Sequence, residues 1–544
     1  MTPDEITAQL VGLLGDGIDT NEFGSGRHAY FFKEGTYAHD LLLGYYTTVH
    51  GLGEKPDKVI ITGSLQCLGV GDELLALNNF WRGAENVAVI SATANINNKW
   101  AVSQATYLRR FHLGNGGNLY LFDFPRKSDG MGGYASGGFI ADSQVDRSVV
   151  SGSQQQFLTR NTNLTHWDPH GVWNLVFVGD GQPPMPSWPD SPFTVVPSTP
   201  LIREKPYLIF NSTTGSYEVA RPVLKTASSG PSNFNASPPT LLIDSFYIAK
   251  EDLDTTDTLN MALQSGKNLI LTPGVYHLTD SLQVTHDNTV VLGLGMATLI
   301  PDNGTPALTV ADAGDVSISG LIVDAGPVKS SSLILLGAGT NTADHRANPI
   351  VLQDVCCRVG GATPGLAASC LIVNVNDTIL DNVWIWRADH GNRGTNEWVT
   401  NAAENGLTVN ADRVTAYGLF VEHFQGYQTI WNGNDGQVYF YQSEIPYDVP
   451  SQDEWRHGDQ KGFASYKVSD TVTSHTATGL GIYCFFRDTP GIELDNAIET
   501  PTGSGINMSN MVTKWLDGKP RTYINHIWNG MGRQVSNGLA TLPE

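Results

Sequence analysis

At 544 residues the chain is long for one domain, and 40% hydrophobic content supports sizeable cores, which excludes global disorder. A formal net charge of −22 weighs against nucleic acid or an anionic membrane as partner, because both reward basic patches. The five cysteines (Cys67, Cys356, Cys357, Cys370, Cys484) form no CxxC pair and no zinc spacing, so they read as buried thiols with at most one bridge.

The chain opens MTPDEITAQLVGLL, without the basic and apolar regions of a signal peptide. Pro3–Leu14 is expected as a short amphipathic helix. Nowhere do 18 apolar residues run together, so no membrane-spanning helix is expected. Residues 24–53, GSGRHAYFFKEGTYAHDLLLGYYTTVHGLG, are short apolar runs punctuated by glycine. A second version follows at 265–295, SGKNLILTPGVYHLTDSLQVTHDNTVVLGLG. Each reads as strand, a turn at Gly-x-Tyr (Gly35–Tyr37, Gly274–Tyr276), strand and Gly-Leu-Gly, which predicts two copies of one architecture.

Further strands are expected within 86–92, 107–113, 118–124, 137–145, 155–161 and 172–180. Prolines from 183 to 200 and the stretch SSGPSNFNASPP (228–239) predict a linker that is extended rather than packed, with a hairpin at 205–224. A helix within 254–266 is expected to cap the next unit. The division is then 1–195, a first β-helix; 196–250, the linker region; and 251–544, a second β-helix.

In that second unit five segments align: LIVD (321–324), VCCR (355–358), VWIW (383–386), LFVE (419–422) and YQSE (441–444). Their ends are spaced 34, 28, 36 and 22 residues, as coils of a parallel β-helix with loops of variable length require. The fold class is therefore all-β, two tandem right-handed parallel β-helices packed side by side. A β-propeller or β-sandwich is the other all-β reading, but neither predicts such a column.

Alternation along a strand puts Tyr417, Leu419 and Val421 inward and Glu422 outward; it also puts Tyr439, Tyr441 and Ser443 inward and Glu444 outward. Stacked rungs lie about 4.8 Å apart, so the two glutamates become neighbours on one face. Like charges that close cannot both ionise easily, and one keeps its proton near neutral pH, as acid-assisted cleavage of a glycosidic bond needs. Trp386, Arg387, Asp389, His390, Trp431, Tyr447 and Asp448 surround them, and aromatic faces beside carboxylates suit a sugar. A second polar cluster, with Gln104, Ser136 and Gln155, is neutral and suited to holding a water.

FWRGAENVAV (80–89), WAVSQA (100–105), SGGFIADS (136–143), SGSQQQ (151–156), WNLVFVGD (173–180), LIREKPYL (201–208) and FYQSEIPYDVP (440–450) resemble the exo-β-1,3-glucanases of glycoside hydrolase family 55. The resemblance implies two tandem β-helices with the active site in the cleft between them. It implies Glu444 as general acid and Glu422 as the carboxylate that tunes it or contacts substrate. Trp386 and Asp389 would hold the terminal sugar, with Tyr447 beside the acid; the residue pattern itself, not the resemblance, adds Trp431 and Gln155 to the expected binding set. It also implies inversion, with the attacking water held by Gln104 and Ser136. Rung spacing alone pulls the other way: carboxylates about 5–5.5 Å apart mark retaining enzymes and about 6.5–9.5 Å inverting ones.

The expected activity is release of glucose from β-1,3-glucan (laminarin) by an extracellular monomer with no cofactor or metal. The alternatives are a non-catalytic carbohydrate-binding β-helix, or a β-helical hydrolase or lyase acting on another polysaccharide. A uronate polymer is disfavoured, since 32 Lys and Arg face 54 Asp and Glu.

Overall fold

The computed structural model describes residues 3–13, 21–91, 96–114, 117–168, 172–186, 188, 192–232, 234, 238–339, 343–516 and 519–543. Two parallel β-helices lie side by side. In the first, an eight-stranded parallel sheet runs from His28–Phe32 through Thr106–Arg109, Phe139–Ala141 and Gln156–Arg160 to Phe193–Val196. A second sheet, from Gly35–Tyr37 to Asn163–Asp168, closes its coils. The other β-helix pairs a twelve-stranded sheet that begins at Phe246–Ala249 with a nine-stranded sheet from Leu282–Val284 to Tyr523–Trp528.

Each helix has its own apolar core, and a third cluster fills the seam. Tyr46, Trp81, Tyr107 and Phe139 of the first helix meet Trp384, Trp386, Tyr417 and Phe420 of the second there. Strands Val351–Val359 and Ile379–Arg387 are consequently buried at every position. A sheet covered on both faces is expected to carry near-continuous apolar runs, and here those runs are broken by Gln353, Asp354, Arg358, Asp381, Asn382 and Arg387.

Charges are also sealed into the seam. Asp381 receives Arg109 at 2.8 Å and Arg160 at 3.0 Å, while Arg160 also grips Glu204 at 2.6 Å. Lys205 bridges Glu85 at 2.7 Å and Asp354 at 3.3 Å. Glu204 and Lys205 belong to the stretch expected as an extended linker; here it packs, because its charges are the partners the seam arginines and carboxylates need. Nearby, Tyr207–Asn211 and Ser216–Ala220 pair as an antiparallel hairpin.

The two similar openings fold alike. Strands His28–Phe32, Gly35–Tyr37, Asp40–Leu42 and Thr47–Gly51 are matched by Asn268–Leu271, Val275–Leu278, Leu282–Val284 and Val290–Pro301. Of the Gly-x-Tyr elements expected as turns, Gly35–Tyr37 is strand throughout, whereas Gly274 does form a bend and the strand begins at Val275. Helices form at Pro3–Leu13 and Thr256–Gln264, the latter capped by Thr255, whose side chain accepts from the Thr258 N–H. All five cysteines are free and buried.

The expected strand phase needs correction at Tyr417 and Tyr439. Both face the seam, their rings stacked at 5.4 Å, while Leu419, Val421 and Tyr441 point into the core. Left-handed residues at Gly418 (φ 65°) and Phe440 (φ 68°) bend each strand and reset its alternation. The same bend recurs at Gly320, Asp354, Asn382 and Gly479. At Gly418 the packing is also close: an added Cβ would lie 3.1 Å from Leu158 of the first helix.

Candidate active site

Strand register stacks Asp324 on Arg358, Arg358 on Trp386 and Trp386 on Glu422. On the next rung Leu419 lies opposite Tyr441 and Phe420 opposite Gln442, an offset that sets Glu444 beside Glu422. The column expected from the sequence is therefore present. Its two glutamates open into a cleft of about 900 Å³ between the helices. The second helix also contributes Trp384, Trp386, Asp389, His390, His423 and Tyr447; the first contributes Asn78, Phe80, Gln104, Ser136, Gln155 and Trp173.

Glu422 is 2% exposed and both its oxygens are engaged. Oε1 accepts from Gln104 Nε2 and Oε2 from the Trp384 indole N–H, each at 2.8 Å. Burial pushes its pKa up to about 7, with bonds from Trp384, Gln442 and Gln104 acting against that rise. Glu444 goes further. Burial first, then the charges of Glu422 and Asp389, drive its pKa well above the carboxylate range, opposed by His390. Glu444 thus holds a proton more firmly than an ordinary carboxyl does. The Tyr447 hydroxyl donates to Glu444 Oε2.

Asp389 is the contrasting acid. Burial would raise its pKa, but His390 and His423 override it, and the carboxyl is held well below its usual range. His390 Nδ1 lies 2.9 Å from Asp389 Oδ1. Trp386 stacks on Trp384 at 4.8 Å; at 1% exposure it offers a sugar little more than a ring edge.

From the first helix, Gln104 crosses the seam to Glu422, leaving its amide oxygen to accept from a water. Ser136 is fixed by its own N–H to Ser103 Oγ at 2.9 Å and by accepting from Gln156 Nε2 at 2.8 Å. Gln155 lines the same wall, its main chain tied to Ala135 and Trp173.

Trp431, expected in the binding set, is not in the cleft. It is 0% exposed, inside the second helix against Tyr466 and His475, because the central strand Thr429–Trp431 turns it inward. Arg387 and Asp448 pair with each other through two bonds of 2.9 and 2.7 Å, and Arg387 also donates to the Asn401 and His423 carbonyls. They brace the loop behind the site rather than line it.

Sequence reasoning missed Trp384, although it stands two residues before Trp386 and so on the same strand face. It also missed Trp173, although that residue opens the string WNLVFVGD, and His423 and Phe485, which carry no motif. Among the described residues no group of three or more His, Cys, Asp or Glu is arranged to hold a metal ion.

A model of the LAM55 pectate lyase-like domain matches residues 246–444. The chain is 43% identical over 528 residues to an exo-β-1,3-glucanase of Streptomyces sp. (strain SirexAA-E / ActE), covering 96% of this chain and 84% of that one. Its fold is similar to the solved structure of sacteLam55A from Streptomyces sp. SirexAA-E (TM-score 0.93, 41% identity, 100% of this chain and 96% of that one). A variant of sacteLam55A solved in complex with glucose matches equally well. With such identity along nearly its whole length, the chain belongs to the exo-β-1,3-glucanases of glycoside hydrolase family 55.

Proposed function

We infer that this protein hydrolyses β-1,3-glucan from the non-reducing end, releasing glucose with inversion. The observation that carries the reading is the pair Glu444 and Glu422, buried on adjacent rungs and facing a neutral polar wall from the other helix, a setting that raises the proton affinity of both. Glu444 gives its proton to the leaving glycosidic oxygen, assisted by Tyr447. Glu422 remains a carboxylate, holds the proton on Glu444 and stabilises the positive charge that develops on the sugar ring. A water held by Gln104 and Ser136 attacks the anomeric carbon from the opposite side and, as the C–O bond forms, passes its proton to solvent water in the open cleft.

Asp389 and the edge of Trp386 hold the terminal sugar, with Gln155 on the facing wall. Phe23 packs behind Trp386 with ring centroids 6.3 Å apart. One chain supplies every group, which supports action as a monomer, and a polymeric substrate supports an extracellular location.

The test is glucose release from laminarin by the wild type and Glu444→Gln, with the product anomer followed by NMR. α-Glucose from the wild type and loss of most activity in a folded variant are expected. β-Glucose appearing first would make Glu422 the nucleophile, and no glucose at all would end the β-1,3-glucan assignment.

A further inference from the structure

Residues 21–27 run behind the sugar-holding end of the cleft and bring Glu22 to His390, at 2.7 Å between Glu22 Oε1 and His390 Nε2. The other ring nitrogen faces Asp389 Oδ1 at 2.9 Å. A neutral imidazole has one N–H and cannot donate to both carboxylates; an imidazolium can. The arm is well anchored. Tyr46 donates to the Glu22 carbonyl at 2.6 Å, Arg27 donates to the Gly24 and Gly26 carbonyls, and its guanidinium lies 3.6 Å over the Tyr46 ring. Phe23 stacks on Trp386 and meets His390 edge-on at 5.6 Å.

We propose that Glu22 is a positioning residue of the hydrolysis: with Asp389 it holds His390 as an imidazolium, and that cation fixes Asp389 for the terminal sugar and tempers the proton affinity of Glu444. The proposal rests on the reading of this cleft end as the terminal-sugar site. Burial disfavours the charged ring, but Asp389 and Glu22 override it and push the His390 pKa up to about 10.

The charged and titratable groups around His390 and Asp389 are few. Glu22 comes from the arm, His423 lies 3.7 Å from Asp389 Oδ1, and Arg487 donates to the Asp389 carbonyl at 3.3 Å. Glu444 senses both Asp389 and His390. Asn78 of the first helix places its side-chain Nδ2 3.1 Å from His390 Nε2, and an imidazolium requires the amide rotated by 180° so that its oxygen accepts from the ring. Glu22 is thus the one carboxylate near His390 that lies outside the catalytic loops, on a segment no site motif marks.

The experiment uses the full chain with isotope-labelled histidine, His390 being identified by loss of its signal in His390→Gln. In Glu22→Gln, which keeps shape and removes charge, the His390 titration is expected to fall by about 1–2 pH units, one charge-assisted hydrogen bond's worth. At pH values above the lowered midpoint, KM for laminarin should rise on the order of tenfold, with kcat less affected, and Glu22→Asp should restore part of the shift. A merely structural role would lower thermal stability at all pH values and leave the titration in place. An unchanged His390 titration, or superposable pH profiles, overturns the proposal. If the wild type releases no glucose, the assigned function fails, while the titration still decides the Glu22–His390 link.

Discussion

Trp384→Phe isolates one hydrogen bond at the heart of the site. The indole N–H donates to Glu422 Oε2 at 2.8 Å, one of three side-chain bonds that oppose the effect of burial on this carboxyl. Phenylalanine keeps a ring against Trp386 and Phe80, now at 4.8 and 4.7 Å, but has nothing to donate. A net hydrogen bond to a charged group contributes about 1.5–3 kcal/mol, and one pKa unit corresponds to about 1.4 kcal/mol. The Glu422 proton should therefore bind about 1–2 units more tightly.

In the proposed mechanism the working form has one proton on the pair, so the ascending limb of kcat/KM against pH reports loss of the other. That limb should move to higher pH by about 1–2 units, while the plateau of kcat changes little. The assay is kcat/KM on a laminarin oligosaccharide from acid to neutral pH, with circular dichroism to check the fold. A limb that stays in place, or moves to lower pH, would refute the claim that Glu422 must be ionised.

Trp431→Phe should lower stability by about 2 kcal/mol through the cavity it leaves and leave KM for laminarin unchanged; a raised KM in a folded variant would return Trp431 to the binding set. The seam predicts the response to acid. Burial would raise the Glu85 pKa, but Lys205 and His50 override it and bring it down to about 2. A carboxyl with a depressed folded pKa stabilises the fold above its unfolded value, about 4.3, and loses that contribution as pH falls toward 2. Thermal melts should show stability declining through that window, and Glu85→Gln should be less stable at neutral pH but flatter with acid; an unaltered slope would contradict it.

The rung column was legible because register in a parallel β-helix is set locally: Trp386, Glu422 and Glu444 end segments whose apolar phase repeats. The duplicated opening was legible for the same reason. The inward placing of Tyr417 and Tyr439 failed because a left-handed residue inside each strand resets the alternation, and Phe440 is not a residue type that announces one. Trp431 misled because nearness in sequence to the catalytic strands says nothing about which sheet carries a residue: it lies on the opposite sheet from Glu422. The Gln104–Glu422 bond and the Glu22–His390 contact join residues 318 and 368 positions apart, and no local pattern encodes such pairs. The seam charges were hidden likewise, since an arginine such as Arg160 looks solvent-exposed until its partners Asp381 and Glu204 are known.

The spacing argument for a retaining enzyme weakens once the surroundings of Glu422 are considered. Rungs about 4.8 Å apart would suit a nucleophile and an acid acting as a retaining pair. A carboxylate nucleophile, however, must present an oxygen to the anomeric carbon. Glu422 has one oxygen bonded to Gln104 and the other to Trp384, both at 2.8 Å, donors that hold it in place and lower its nucleophilicity. Its raised proton affinity instead suits a charge that responds to Glu444 a rung away. The opposite face of a bound sugar would meet Gln104, Ser136 and Gln155, which carry no carboxylate to form a glycosyl ester and are well suited to orient a water. In the proposed mechanism the division of labour follows the architecture: the second helix would supply the charges that break the bond and the first the neutral wall from which water attacks, with the buried ion pairs of the seam holding the two in register.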